Sequence, residues 1–356
     1  MSVPTTRPDA SHFTTTIDNP FMTLRAGTTF VYENKEAGES NTFTVTHETA
    51  VIDGVTCVVV HDTAYRNGQV IEDTIDWFAQ DHQGNVWYFG EATHQLEPGN
   101  PVPIGNHGSW VAGVDGAQAG IAMLGNPEVG DEYAQEHAPG IAEDRATVLS
   151  LQDTVHVGYG SFGDALQTLD VNPLDPSEEN KFFAEGVGNL VTTNADGEYE
   201  ALVRIIVEGT ASGDVLRGYA GGDSMFGRAG NDRIVGEDGN DTMSGGGGTD
   251  SLFGGGGFDR LMGGRGSDML RGGRDGDTFV FRDLQDGRAD LDTILDYRRG
   301  QVDVIDIDGG VASVAAETFV NGAWELTLAG DGDRIRLEGV VDRNHDGHII
   351  DHLIFA

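Results

Sequence analysis

The sequence has little of three things on which common protein classes depend. It contains a single cysteine, Cys57, which excludes a framework of intrachain disulfides. Lysine and arginine number 21 against 59 aspartates and glutamates, and the formal net charge of -38 argues against nucleic acid and anionic membrane surfaces as partners. No stretch approaches the roughly 20 apolar residues of a membrane span, so we predict no membrane insertion.

Targeting and catalytic motifs are also missing. The first residues, MSVPTTRPDASHF, lack the basic start and apolar run of a cleaved secretory signal, which taken alone predicts a cytosolic protein. Residues 47–51 have valine where the zinc signature HExxH requires its second histidine, and residues 159–163 have tyrosine where GxSxG requires its first glycine. The sequence therefore argues against a metalloprotease or a serine hydrolase of these types.

Residues 21–208 carry the turn signals of an antiparallel β-structure. Asp53-Gly54 and Asn67-Gly68 separate runs rich in β-branched and aromatic residues, and such dipeptides are strong hairpin signals. No helical periodicity is sustained over three turns before residue 208. We therefore predict an all-β fold whose first half is an antiparallel β-barrel or curled sandwich of about ten strands. Residues 1–20 are predicted to form an extended arm.

Residues 209–280 divide without a gap into eight nonapeptides. Each begins with glycine and has aspartate at its sixth position and an apolar residue at its eighth. Stacked turns would place like carboxylates close together, which is destabilising unless a cation lies between them. Calcium accepts the mixture of carboxylate and backbone carbonyl oxygens that a Gly-Asp turn offers. The repeated aspartates are Asp214, Asp223, Asp232, Asp241, Asp250, Asp259, Asp268 and Asp277.

This pattern resembles the RTX nonapeptide GGxGxDxUx of calcium-binding proteins. The resemblance implies a parallel β-roll, with Ca2+ as its cofactor, in which two nonapeptides make one coil and alternate repeats stack. One edge would then carry Asp214, Asp232, Asp250 and Asp268, and the other edge the remaining four aspartates. The fourth-position glycines are expected to contribute to the metal sites; they are Gly221, Gly230, Gly239, Gly248, Gly257 and Gly266.

Residues 281–356 resemble the β cap and tail of serralysin-type proteins. The segment DLDTILDYRRGQVDVIDID is similar to the cap that closes the roll, and residues 342–347 (DRNHDG) resemble a DxNxDG turn near its end. An EF-hand is the weaker interpretation of that turn, because Leu353 occupies the position that needs a bidentate glutamate. The final residues, DHLIFA, resemble an uncleaved export signal. The resemblance implies a type I secretion apparatus as a partner and an extracellular location.

The hairpin register of the first half suggests one candidate catalytic site. If residues 67–68 and 83–84 form two-residue turns, Asp76 lies opposite Glu91 and His61 shares their face. Two opposed carboxyls need a proton, a cation or a basic side chain between them, which suits general acid–base chemistry or metal binding. His61, Asp76 and Glu91 are therefore the candidate catalytic residues. A change of one residue in either turn would separate Asp76 from Glu91 and leave both as solvated or structurally paired groups.

Together these patterns predict a secreted, calcium-binding protein whose repeats fold on calcium after export. Two hypotheses remain for residues 21–208. The first is a binding or structural module that recognises an extracellular polymer or surface ligand. The second is an extracellular hydrolase or lyase. An enclosed apolar interior would favour the first, and an open cleft in which His61, Asp76 and Glu91 converge would favour the second.

Overall fold

A computed structural model describes residues 9–97, 103–106, 108–194, 199–282, 289–298, 302–307, 314–328 and 333–340. The chain divides into two compact units, Met1–Ile205 and Ile206–Ala356. The predicted all-β class is confirmed: apart from a 3-10 turn at Ala10–His12, the regular elements of the described residues are strands. Within these residues no helix has the length and apolar character needed to cross a membrane. The DRNHDG turn and the DHLIFA tail lie outside the described residues.

Seventeen strands of the described residues begin in the first unit. They are β1 (Phe13–Thr14), β2 (Ile17–Asn19), β3 (Met22–Leu24), β4 (Thr28–Asn34), β5 (Glu39–Ile52), β6 (Val55–Arg66), β7 (Gln69–Asp81), β8 (Val86–Gln95), β9 (Trp110–Val111), β10 (Gln118–Met123), β11 (Glu132–Ala134), β12 (Glu136–His137), β13 (Arg145–His156), β14 (Ser161–Asn172), β15 (Asp175–Ala184), β16 (Gly188–Asn194) and β17 (Tyr199–Glu208).

The first unit is built on antiparallel pairing between neighbours in the chain. Strands β4 to β8 pair in order, and so do β13 to β17. Strand β10 joins the two sets, because it pairs with β8 and β12 while β11 pairs with β13. Strand β4 also pairs with β17. Asn67 (φ 50°) and Gly68 (φ 75°) have the left-handed backbone of a tight hairpin turn, as the sequence predicts.

Alternation along these strands buries two sets of side chains. One face packs an apolar cluster that includes Cys57, Phe89 and Trp110, each at most 4% exposed. Cys57 is a free thiol in this cluster. The other face of β6 and β7 carries Val60, Asp76 and Phe78, also buried. The second face is the one that lines the cavity described below.

The repeats form a parallel roll. One sheet contains β18 (Val215–Arg217), β20 (Arg233–Asp238), β22 (Ser251–Gly256), β24 (Met269–Arg274) and β26 (Leu291–Ile294). The alternate strands are β19 (Asp223–Phe226), β21 (Thr242–Gly247), β23 (Arg260–Arg265), β25 (Thr278–Phe281) and β27 (Val304–Ile307), which also pair in parallel. Strand pairing joins residues 18 apart, such as Ile234 and Leu252, so alternate repeats stack as predicted.

The eighth-position side chains fill the inside of the roll. All of them are buried, and most are fully inaccessible: Leu216, Met225, Ile234, Met243, Leu252, Leu261, Leu270 and Phe279. After the repeats, the hairpin β28 (Val314–Val320) and β29 (Ala323–Leu328) leads into β30 (Arg334–Leu337). Strand β30 pairs in parallel with β26 and so extends the first sheet of the roll.

Candidate functional sites

Two columns of aspartates run along the roll, each with a period of 18 residues. In the first column the backbone N–H of Asp214 donates to Oδ1 of Asp232 at 2.8 Å, and the same bond links Asp232 to Asp250 and Asp250 to Asp268. The second column repeats this geometry, with distances of 2.8–3.0 Å, through Asp223, Asp241, Asp259 and Asp277. The two predicted rows of aspartates therefore exist.

The second carboxylate oxygen has no hydrogen-bond partner in the aspartates that lie between the ends of the two columns. The Oδ2 atoms are buried and have no hydrogen-bond partner in Asp232, Asp241, Asp250, Asp259 and Asp268. A buried polar atom without a partner is costly, and a charged one more so. A row of unsatisfied carboxylate oxygens is the donor set that a hard divalent cation requires.

The glycines provide the remaining geometry of these sites. Gly248 has a φ of 139°, and a Cβ at this position would overlap the carbonyl oxygen of Gly230 on the preceding coil. The same arrangement joins Gly266 to Gly248 and Gly239 to Gly221. First-position glycines are equally close to the aspartates, because a Cβ on Gly245 would overlap Oδ2 of Asp250. Only glycine lets the backbone carbonyls and carboxylates approach each other in this way.

Burial disfavours the ionised form of these carboxyls when no cation is bound. It raises the pKa of Asp241 to about 8 and the pKa of Asp268 to about 7, despite the backbone N–H that each accepts. No group of three His, Cys, Asp or Glu side chains in the described part of the chain is arranged to hold a metal ion. The roll does not need such a group, since backbone carbonyls complete a calcium site. When bound, calcium supplies the positive charge that the two columns lack.

The cap continues both columns beyond the residues that the nonapeptide period predicts. Asp268 N–H donates to Oδ1 of Asp292 at 3.0 Å, and Asp277 N–H donates to Oδ1 of Asp303 at 3.1 Å. Both cap aspartates are buried. The spacing to them is 24 and 26 residues, so they fall outside the nonapeptide period. The signal in the sequence is the apolar residue two positions after each aspartate, in DTI and DVI, which matches positions six and eight of the repeats.

Comparison with known proteins agrees with this geometry. Residues 208–243 and 244–279 each match the model of the RTX calcium-binding nonapeptide repeat. Residues 208–279 belong to this calcium-binding repeat family. No curated protein matches the chain.

Several solved structures are also similar to parts of the chain. A subunit of the mannuronan C5-epimerase of Azotobacter vinelandii is 27% identical, with a TM-score of 0.27, and the match covers 42% of this chain and 81% of that one. An extracellular lipase of Serratia marcescens is 16% identical, with a TM-score of 0.18 and coverage of 58% and 31%. The chain thus corresponds to about a third of the lipase's length.

In the first unit, Asp76 and Glu91 lie opposite each other but His61 does not join them. Strands β7 and β8 pair Asp76 with Glu91. The predicted register between β6 and β7 is wrong by one residue, because a bulge between Ala64 and Tyr65 makes Val60 the partner of Asp76. His61 pairs with Ile75, so its side chain is directed to the opposite face. The two-residue turn was predicted, but nothing in the sequence marked the bulge.

Tyr88, which no sequence motif marks as a site residue, bridges the two carboxyls. Its Oη lies 2.6 Å from Oδ1 of Asp76 and 3.0 Å from Oε2 of Glu91. A phenol has one proton and can donate to only one of them. The other bond therefore needs a proton on a carboxyl, and the three groups share at least one extra proton. The two-residue turn predicted at residues 83–84 is wrong, because four residues separate β7 from β8. Gln80 therefore pairs with Val86, and Phe78 pairs with Tyr88.

The pKa values of these groups follow from their burial. Burial, followed by the charge of Asp62, raises the pKa of Asp76 well above its usual value, and burial raises the pKa of Glu91 to about 7. A third carboxyl, that of Glu136, behaves in the same way. Burial and a hydrogen bond with Asp144 raise the pKa of Glu136 to about 9. Burial therefore favours the protonated form of these carboxyls.

These groups adjoin a cavity of about 600 Å³. Tyr88, Glu136 and Asp144 line it, together with Asp62, Asp170, Glu179 and Glu200 and the aromatic rings of Phe30, Phe43 and Phe78. Lys181 is the cation in this lining, and its Nζ lies 3.0 Å from Oδ2 of Asp170. Burial lowers the pKa of Lys181, but Asp170 and Glu179 outweigh that effect and raise it. The cavity volume is within the roughly 300–1,000 Å³ typical of small-molecule sites.

Proposed function

We propose that the chain is a secreted protein whose RTX repeats fold on calcium after export and carry the first unit as a binding module. The observation that supports calcium-dependent folding is the row of buried, unpartnered Oδ2 atoms in Asp232, Asp241, Asp250, Asp259 and Asp268. Without a cation these oxygens oppose the closed roll. Calcium bound only by the closed roll stabilises it by mass action.

Conditional folding suits export. Calcium is scarce inside cells and roughly millimolar outside, the concentration range of extracellular calcium modules. RTX proteins are typically secreted, and the formal net charge of -38 keeps an ion-free chain expanded until it meets calcium. A type I secretion apparatus is the proposed partner, with the signal in residues 351–356.

Circular dichroism of the full chain tests the folding step. We expect β-structure to increase on titration with calcium to millimolar concentration and to be lost on addition of chelator, while magnesium at the same concentration has little effect. Equal β-content with and without chelator would refute the coupling. For export, the chain and a variant without residues 351–356 are co-expressed with a type I apparatus. Equal appearance of both in the medium would exclude the proposed signal.

The first unit is proposed to be a binding module because it holds a cavity in which His61, Asp76 and Glu91 do not converge. The cavity is neither an apolar interior nor a cleft containing all three side chains. Its lining mixes aromatic rings with carboxyls and one lysine, which is the composition of a site for a small polar ligand or for one residue of an extracellular polymer.

A hydrolase or lyase is the second candidate, and one observation favours it. Asp76, Tyr88 and Glu91 share a proton beside the cavity, and a protonated carboxyl next to a bound polymer can act as a general acid. Screening glycan and peptide substrates with the wild type and Asp76→Asn tests this activity. Turnover by the wild type that falls at least about a hundredfold in the variant would favour the enzyme. Equal turnover by the two proteins would rule out Asp76 as the general acid, and no turnover by the wild type would favour the binding module.

A further inference from the structure

We propose that the cavity of the first unit binds an organic cation, a ligand with a positively charged amine on an apolar body. This inference rests on the proposal that the first unit is a binding module and names the class of its ligand. It is supported by the charge of the lining, by the arrangement of the carboxyls and by an aromatic wall on one side of the cavity.

The charge of the lining is strongly one-sided. Six acidic residues line the cavity: Asp62, Glu136, Asp144, Asp170, Glu179 and Glu200. The cation in the same lining, Lys181, is already held by Asp170 at 3.0 Å and by Glu179 at 3.6 Å. Like charges brought together in a partly dry space must take up protons or a counter-cation. An anionic ligand would meet this surplus of carboxyls, and among the described lining residues no unpaired cation would receive it.

The acidic groups are too dispersed for a metal ion. Among the described residues, no three carboxyl or imidazole side chains are placed to coordinate one ion. Two of the acids lie on strands that do not pair with each other, Asp62 on β6 and Glu200 on β17. Separate carboxyls suit a ligand several atoms long whose amine donors point outward, and hydrogen bonds from a charged donor to a carboxylate are the strong kind.

An aromatic wall faces the same space. Phe30, Phe43, Phe78 and Tyr88 all line the cavity, and their rings follow one another at centroid distances of 6.3, 6.1 and 4.8 Å. Ring faces attract ammonium groups, and more strongly where water is excluded. The same rings bury an aliphatic or aromatic body. A neutral sugar could stack on the rings and hydrogen-bond to the carboxyls, but it would not neutralise the negative charge of the ionised carboxylates.

The class of ligand also predicts what happens to protons. The proton shared by Asp76, Tyr88 and Glu91 lies beside the cavity, and burial raises the pKa of Glu136 in the cavity lining, which favours the protonated form of that carboxyl. An incoming ammonium favours the ionised carboxylate. Binding must therefore release protons near neutral pH, which a neutral ligand would not cause.

Isothermal titration calorimetry on the full, calcium-loaded chain tests the proposal. The probes are phenethylamine and spermidine, with 2-phenylethanol as the neutral counterpart of the first and 3-phenylpropionate as the anion. Two buffers with different ionisation enthalpies report the number of protons released. The variants are Glu200→Gln, which removes one lining charge without changing its shape, and Glu48→Gln, which removes an exposed charge on β5.

We expect at least one amine to bind at least about tenfold more tightly than 2-phenylethanol and to release protons at pH 7.5. We expect Glu200→Gln to weaken it at least about fivefold and Glu48→Gln to have no effect. Equal affinity for the amine and the alcohol, or binding without proton release in the wild type, would overturn the ligand class. Because proton release is measured on the wild type, the test does not depend on the variant folding.

Failure of this inference can be told apart from failure of the binding module. Neutral and anionic oligosaccharides are titrated in the same way. If one of them binds and is displaced by no amine, the module stands and the organic cation is wrong. If no amine and no oligosaccharide binds to the folded protein, the ligand class and the module both fall. The calcium response of the roll, followed by circular dichroism, is independent of either result.

Discussion

The backbone N–H of Asp232 donates to Oδ1 of Asp250 at 2.8 Å, while Oδ2 of the same Asp250 is buried without a partner. One carboxylate therefore does two different things. Its first oxygen joins neighbouring coils, and its second is available to a cation. The same arrangement recurs along both columns. A substitution can therefore remove the charge of an aspartate and keep the hydrogen bond that joins the coils.

Asp250→Asn should separate the two roles. The asparagine keeps a carbonyl oxygen that can accept the Asp232 N–H, but it replaces the unpartnered oxygen by an uncharged group. We expect the calcium concentration at the midpoint of folding, measured by circular dichroism, to rise at least about fivefold. Asp238→Asn is the matched control, because its side chain is 72% exposed on the same roll. Equal midpoints for the two variants would contradict a metal-binding role for Asp250.

Gly248→Ala should destabilise the stacking of neighbouring coils. Gly248 has a φ of 139°, and a Cβ there would overlap the carbonyl oxygen of Gly230. The strain and the clash should cost at least about 1–3 kcal/mol of the free energy of unfolding in calcium. Gly247→Ala is the control one residue away, since its Cβ would meet nothing within 4 Å. Equal free energies of unfolding for the two variants would show that the coils are not tightly stacked at residue 248.

Tyr88→Phe should destabilise the first unit. The variant keeps the ring that stacks on Phe78 but removes the hydroxyl shared by Asp76 and Glu91. Losing that hydroxyl leaves buried carboxyl oxygens without a partner, at a cost of about 1–3 kcal/mol in the free energy of unfolding by urea. Tyr65→Phe, at a half-buried position near the end of β6, should change it by less than about 0.5 kcal/mol. Similarly small changes in the free energy of unfolding of both variants would mean that the Tyr88 hydroxyl contributes little to stability.

The stability of the first unit should fall as pH rises. Burial raises the pKa of Asp62 to about 6 and the pKa of Glu91 and of Glu200 to about 7. Each carboxyl thus binds its proton more tightly in the folded chain than in the unfolded chain. The stability from these protons is complete below about pH 4 and is lost as pH passes through 6 to 7 and, for Glu136, about 9.

Tryptophan fluorescence during urea unfolding measures this pH effect. In the variant Trp324→Phe the remaining tryptophans, Trp77, Trp87 and Trp110, all report on the first unit. At constant calcium, we expect the urea midpoint to fall steadily between pH 5.5 and 8.5. Adding Glu200→Gln should make the fall shallower, because one titrating carboxyl is removed. A midpoint that is constant or rises over this range would show that these carboxyls are not protonated in the folded unit.

The roll can be predicted from the sequence because the pattern that specifies it repeats over only nine residues. Glycine, aspartate and an apolar residue recur with a period of nine, and Ile234 pairs with Leu252 as that period requires. The continuation to Asp292 and Asp303 was not predictable, because the intervening residues break the period while the backbone still returns to the same column. In a parallel roll, position on the column is set by strand pairing and not by distance along the chain.

The candidate site in the first unit was predictable only in part. Asn67-Gly68 makes the tight turn, and Asp76 does face Glu91. Each of the two hairpins, however, contains a slip of one residue, which moves His61 to the other face and brings Tyr88 onto the face of Asp76. Side chains alternate with a period of two, so a single extra residue reverses the face of everything beyond it.

The sequence by itself determined the all-β class, the calcium-binding repeats and the two columns of aspartates, because each of these depends on short-range periods that any stacked arrangement must respect. Only the tertiary structure decided which acids share the cavity, that Tyr88 bridges two of them, and that the columns extend into the cap. Those features depend on strand register and on contacts between residues far apart in the chain, and no local pattern fixes either of them.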